Sequence, residues 1–327
     1  MKSRFLVHGL IALFVAFTSM SSKAQSREAD EDVSPLLRVD SAFVWVPVLV
    51  KTENGRALGG QDVSRFRLLD NGTPEKVTVL NTDGLPVSLV ILMQTGGSAS
   101  QFLSCYSNLP ELIGHLVGDS GHEITLVTFD SRVEQIWHFP ARSDGVNYAL
   151  THQHAGDNGA AIKDAVAFGV RQLQGEPGRF RRIVLLLSQG RDAGSSTSSQ
   201  ALLEQLGTSS TVVYSLTFTG EQTHAGRVRK TKHSGSSEEA SERAIRALDD
   251  QAAEEAVSLT GGTDYPFDDR REFNSAMLET LSDFHDGITL GFQPSRHDAG
   301  FHRVEVRIDS HRLRVTARGA YWRAPSN

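Results

Sequence analysis

The chain has a single cysteine, Cys105, in 327 residues. That excludes an intramolecular disulfide, so the fold has to rely on its core. Cys105 reads as a small apolar residue on a packed helix face. There is no excess of positive charge. Lys and Arg number 33 against 39 Asp and Glu, for a net charge of −6. A general nucleic-acid binder would want a basic face. After the N-terminal stretch no apolar run is long enough to cross a bilayer. Catalytic signatures are also missing. Ser188-Gln189-Gly190 and Gly97-Ser98 do not make a Gly-x-Ser-x-Gly nucleophile elbow. Gly96-Gly97 lacks the lysine of a phosphate-binding loop. His152 and His154 form a His-x-His pair, but no third or fourth zinc ligand stands at suitable spacing.

What is present begins with MKSRFLVHGLIALFVAFTSMSSKAQ. Lys2 and Arg4 flank an apolar stretch, Leu6 to Phe17, and Ser22-Lys23-Ala24 offers a small-residue cut before Gln25. This reads as a secretory signal peptide over residues 1–24, which places the mature chain in the periplasm or outside the cell. No cysteine follows the cut, so a lipid anchor is not expected. Residues 25–36 are polar and acidic and read as a flexible lead-in.

Residues 37–82 carry strand and turn signals, with Asn54-Gly55 and Asp70-Asn71-Gly72 at hairpin tips. Three or four strands bury too little to stand alone. From Pro86 onward the pattern changes. VSLVILM, RIVLLLS and TVVYSLTF are continuous apolar runs, as in parallel strands covered on both faces. Helical stretches lie between them, including Ile162 to Leu173 and Ile245 to Leu259. Ser236 and Glu239 form a capping box before the latter. The alternation predicts a doubly wound α/β unit over 86–286. Strands return at 287–324. The two β segments are expected to pair into one small β-sandwich, with the α/β unit inserted between them. Residues 220–241 read as a polar solvated loop with a basic cluster from Arg227 to Lys232.

Seven blocks in order give the chain a resemblance. In PVSLVILMQTGGSAS, GAAIKDAV, IVLLLSQGRDAGSS, LTGGTDYPF, LGFQP, FHRVEVRI and ARGAYW, the order of parts resembles the von Willebrand factor type A domain. The closer likeness is to the VWFA-related family of exported bacterial proteins, acidobacterial type. That resemblance covers nearly all of the mature chain. It implies a Rossmann-like sheet whose strand ends carry a metal-ion-dependent adhesion site: Asp-x-Ser-x-Ser on the first loop, Thr on the second, Asp on the third. Such oxygen donors suit Mg²⁺.

Carried over position by position, the first Asp falls on Gln94 and the first Ser on Gly96. The second Ser is retained as Ser98. The Thr falls on Ala160 and the last Asp on Gln189. Two carboxylates have become amides and two hydroxyls are gone. The metal site therefore reads as degenerate, and a divalent cation or other cofactor is not expected. Asp157, Asp164 and Asp192 lie near enough in sequence to offer a shifted cation site. Their alternative role is helix capping and loop hydrogen bonding.

The function expected from these residues is an exported, non-catalytic module that binds an envelope or extracellular protein without metal. Gln94, Thr95, Ser98, Gln189 and Arg191 are the candidate contacts. The alternatives are a structural scaffold with a silent crevice, metal-dependent adhesion through the shifted site, and a divergent hydrolase using His152 and His154.

Overall fold

The computed structural model describes residues 43–82, 84–140, 144–175, 180–219 and 236–325. The expected signal peptide, the expected lead-in and the basic cluster Arg227 to Lys232 lie outside the described residues.

Four strands come first: β1 (Val44–Thr52), β2 (Phe66–Asp70), β3 (Thr73–Glu75) and β4 (Val77–Leu80). Then follow β5 (Val87–Gln94), α1 (Leu109–Val117), β6 (Gly121–Phe129), β7 (Val133–Pro140) and α2 (Asp144–Thr151). Next are α3 (Ile162–Gln174), β8 (Arg181–Ser188), α4 (Ser199–Thr208) and β9 (Val212–Phe218). After them stand α5 (Ser237–Asp250), α6 (Ala252–Thr260), β10 (Asp264–Phe267) and α7 (Arg270–Asp286). The last strands are β11 (Ile288–Phe292), β12 (Gly300–Ile308), β13 (Leu313–Ala317) and β14 (Ala320–Arg323).

The central sheet runs β10-β9-β8-β5-β6-β7, parallel except for the edge strand β7. Every residue of β5 is buried, as its unbroken apolar run requires. One face of the sheet packs on α1, α2 and α7 through Ile91, Ile113 and Phe273. The other packs on α3 to α6 through Leu92, Val166 and Leu203. Chain order runs outward from β5 in both directions. The strand-order reversal, and hence the crevice, falls between the C-terminal ends of β5 and β8.

The end segments form two four-stranded antiparallel sheets, β13-β1-β11-β4 and β14-β12-β2-β3. They share a core that includes Val46, Val48, Phe66, Leu68, Phe292 and Val304. N-terminal and C-terminal strands alternate within it: β1 pairs with β11 and β13, and β2 with β12. The chain leaves this sandwich after Leu80 and re-enters it at β11, where Thr289 pairs with Leu80. The two ends of the inserted unit are therefore adjacent.

Four local expectations change. The turn at Asn54-Gly55 is present, but its second arm is only a bridge between Lys51 and Ala57. The arm after Asn71-Gly72 divides near Lys76: β3 stays with β2, while β4 crosses to the other sheet. The helix expected through Ile245 to Leu259 breaks at Gln251 (φ −144°, ψ 74°) into α5 and α6. The cause lies in the loop after β8: Ala253 N donates to Gly190 O at 3.2 Å, and Arg191 Nε donates to Asp250 O at 3.2 Å. The Ser236 hydroxyl does cap α5, accepting from Glu239 N at 3.2 Å. That helix shortens the 220–241 loop, since residues 237–241 belong to α5.

Candidate functional site: the crevice at the strand ends

Gln94 ends β5 and is fully buried. Its Nε2 donates to Gly96 O at 2.9 Å and to Gln189 Oε1 at 3.3 Å. Its Oε1 accepts from Gln189 N at 2.9 Å. The partners fix the amide's orientation: a flipped Gln94 would set oxygen against two acceptors and NH₂ against a backbone N–H. Gln189 in turn donates from Nε2 to Arg191 O at 2.8 Å.

Backbone pairing ties the second loop to the first and third. Gly97 N donates to Asp157 O at 2.6 Å, and Gly156 N to Thr95 O at 2.9 Å. Ala160 exchanges both backbone hydrogen bonds with Ala193, at 3.0 and 2.8 Å. Thr95 is buried, with its hydroxyl on Phe129 O at 3.2 Å. Gly96 is needed for this closeness. A Cβ there would lie 2.4 Å from Gly159 O, 2.6 Å from Asp130 Cβ and 2.8 Å from Asp157 O.

The carboxylates near the crevice are each engaged by the protein itself. Asp157 accepts from Ser131 N at 3.0 Å, Gly159 N at 2.7 Å and the Ser131 hydroxyl. Those donors hold its pKa below the usual range. Asp192 accepts from Lys163 N at 2.9 Å and Ser195 Oγ at 2.5 Å. Asp164 accepts from Ser196 N at 2.9 Å and Thr197 N at 2.7 Å. Burial works against its charge, but the Thr197 and Ser196 donors outweigh it and lower its pKa. Among the described residues no three His, Cys, Asp or Glu side chains cluster as a metal-holding group. Amide oxygens that already accept N–H bonds, with no space for a hydroxyl at residue 96, do not fit a hard divalent cation.

The five candidate contacts therefore divide. Gln94 and Thr95 have no surface to offer, Gln189 is half-buried, and Ser98 and Arg191 are exposed. His152 is exposed and stacks on Tyr148 with ring centroids 4.0 Å apart, its Nδ1 3.0 Å from Tyr148 O. Nothing in that contact activates a nucleophile.

Polar groups that the sequence reading did not single out lie elsewhere. His302, Asp70 and Tyr321 form a buried cluster in the sandwich. Lys51, Asp283 and Tyr265 join the sandwich to the α/β unit. On α6, burial and the charge of Glu254 push Glu255 up to about 8. Burial raises Asp264 to about 6, against the Thr217 hydroxyl that donates to it at 3.2 Å.

A doubly wound sheet whose three loops converge at a strand-order reversal is a Rossmann-like architecture, as the resemblance to type A domains implies. No family model matches the chain, and no curated protein matches it. Solved structures do. A von Willebrand factor type A protein from Catenulispora acidiphila is 11% identical over 87% of this chain and 74% of its own, with a TM-score of 0.44. The pilus adhesin SpaC from Lactobacillus rhamnosus GG, in its open conformation, is 10% identical over 85% of this chain, with a TM-score of 0.42. Proximal thread matrix protein 1 from the mussel byssus, solved with a zinc-occupied adhesion motif, is 12% identical over 66% of this chain, with a TM-score of 0.43. The last two matches span 48% and 49% of those proteins' own chains. Likenesses this distant carry no inference about ligand or partner.

Proposed function

We propose that this chain is an exported, non-catalytic module that holds another envelope or extracellular protein at the strand-end crevice, without a bound metal. The observation that carries the reading is the reciprocal bonding of Gln94 and Gln189 where carboxylates would hold a cation. Ser98, Gln189 and Arg191 supply the accessible contacts. Arg191 is exposed and keeps Nε on the Asp250 carbonyl, and a guanidinium held in this way suits an acidic group on the partner.

The test is capture of labelled envelope and extracellular proteins by the immobilised chain from Gln25, with chelator or with millimolar Mg²⁺. Capture that is unchanged by chelator and lost in Arg191→Glu supports the reading. Capture that survives Arg191→Glu but is lost on deleting residues 220–235 would move binding away from the crevice and leave the fold as a scaffold. Capture abolished by chelator would return metal-dependent adhesion.

A further inference from the structure

We infer that Gln94 and Gln189 form an amide lock that does the work a cation would do in a type A crevice. Restoring the ligand side chains alone would not regain metal binding. This rests on the metal-free reading above and goes beyond it, because it assigns a role to the residues that replaced the ligands.

A bound cation joins loops from different strands by sharing their oxygens. Here three kinds of direct bond make those joins. The Gln94 amide spans β5 to the end of β8, accepting from Gln189 N at 2.9 Å and donating to Gln189 Oε1 at 3.3 Å. It also closes its own loop on Gly96 O at 2.9 Å. Only a group with both a donor and an acceptor meets all three partners, so neither Asp nor Glu replaces it. The second loop is held by Gly97 N on Asp157 O, at 2.6 Å, and by the paired backbones of Ala160 and Ala193.

These bonds set the second loop where a first-loop hydroxyl would need to be. The Gly159 and Asp157 carbonyl oxygens stand 2.4 and 2.8 Å from the position of a Cβ on residue 96. Both are backbone atoms, so no rotamer change relieves the contact. A serine at residue 96 requires the second loop to withdraw, and withdrawal breaks the bonds from Gly97 and Gly156. The amide pair, Gly96 and the loop pairing are thus one arrangement, and the crevice surface with Ser98 and Arg191 is fixed without a cation-dependent step.

The variant Gln94→Glu is nearly isosteric and isolates the lock. It removes the donor to Gly96 O and Gln189 Oε1 and sets carboxylate oxygen against both. The expected result is a thermal midpoint lowered by roughly 5 °C, unchanged by 10 mM Mg²⁺ or Mn²⁺. Gln94→Asp/Gly96→Ser/Ala160→Thr/Gln189→Asp should likewise show no saturable metal shift. Hydrogen exchange on the unaltered chain covers the case in which a variant fails to fold. The amides of Gly97, Gly156, Ala160 and Gln189 should be protected to the level of the sheet, with or without chelator. An undiminished midpoint in Gln94→Glu together with fast exchange at those four amides would overturn the lock while leaving the metal-free reading standing. Metal-dependent stabilisation of the fourfold variant would also overturn it. A saturable metal shift in the unaltered chain would overturn the metal-free reading itself.

Discussion

His302 Nδ1 lies 3.0 Å from Asp70 Oδ1, although 232 residues separate the two. The Tyr321 hydroxyl donates to the other Asp70 oxygen at 2.8 Å, and His302 Nε2 faces Asp298 O at 2.9 Å. Asn71 Nδ2 stands 3.4 Å from Nδ1. The cluster joins β2, β12 and β14, one strand from the start of the chain to two from its end. Asp70 at Nδ1 and the Asp298 carbonyl at Nε2 favour the protonated ring. Burial alone would lower its pKa, but Asp70 and the Asp298 carbonyl raise it above the ordinary 6.5.

A raised histidine pKa stabilises the fold fully below the unfolded value, and the contribution is lost as pH rises through the folded one. His302→Gln should therefore cost most at pH 6 and below. The expected loss there is about 3 kcal/mol, because Asp70 is left buried without its cation. The gap to the unaltered chain should narrow as pH passes above the folded pKa. Urea unfolding at pH 5.5 and 8.5 checks this, and a gap that widens with pH would sink it.

Glu255 gives a second pH dependence of the same sign by a different route. Its pKa rises from 4.5 to about 8, first through burial and then through the charge of Glu254. The folded state keeps a proton that the unfolded chain releases, so stability falls as pH climbs from 4.5 to 8. Glu255→Gln removes that dependence. At pH 7 it should stabilise by on the order of 2 kcal/mol, and near pH 4.5 it should do almost nothing. Thermal midpoints at the two pH values separate this from the His302 effect, which works in the opposite direction on substitution.

Lys51 on β1 reaches Asp283 on α7 at 2.8 Å and the Tyr265 hydroxyl on β10 at 2.6 Å. Tyr265 and Thr263 also donate to Asp283, at 2.5 and 2.8 Å. This network bonds the sandwich to the inserted unit through one buried carboxylate. Lys51→Met should cost about 3 kcal/mol by stranding that charge. Asp283→Asn added to it should cost much less than the sum of the single changes. Additive losses in a double-mutant cycle would show that the two residues do not act as a pair.

What the sequence reveals and what it hides follow from the range of the forces involved. VSLVILM, RIVLLLS and TVVYSLTF announce covered strands because burial on both faces demands apolar residues at every position. Gly261 (φ 88°) is legible as the stop of α6 because the left-handed cap favours glycine. The break at Gln251 is not legible, since it is made by Gly190 and Arg191, which come some 60 residues earlier in the chain. The His302 cluster is hidden for the same reason. Gln94 stands between these cases. Loss of a carboxylate is visible in the letters, whereas the donor and acceptor partners that make glutamine the fitting replacement appear only when β5 and β8 lie side by side.

Arg318, between β13 and β14, is buried, and its guanidinium meets only neutral carbonyls. Nε donates to Ala320 O at 2.7 Å, Nη1 to Ser209 O at 2.7 Å, and Nη2 to Leu206 O and Gly207 O at 3.0 and 2.8 Å. Three of these acceptors lie at the C-terminal end of α4, where carbonyls lack helical partners and the dipole favours a cation. Burial lowers the pKa to about 10, so the group stays charged at neutral pH. Its role is to fasten the end of the sandwich to α4. Arg318→Met should cost about 3 kcal/mol or more, since four carbonyl acceptors, three of them in buried contacts, lose a charged donor. Arg318→Lys keeps the charge but not the planar fork, and should recover only part of the loss. Equal urea midpoints for the lysine variant and the unaltered chain would mean that charge alone, and not the fork, makes this junction.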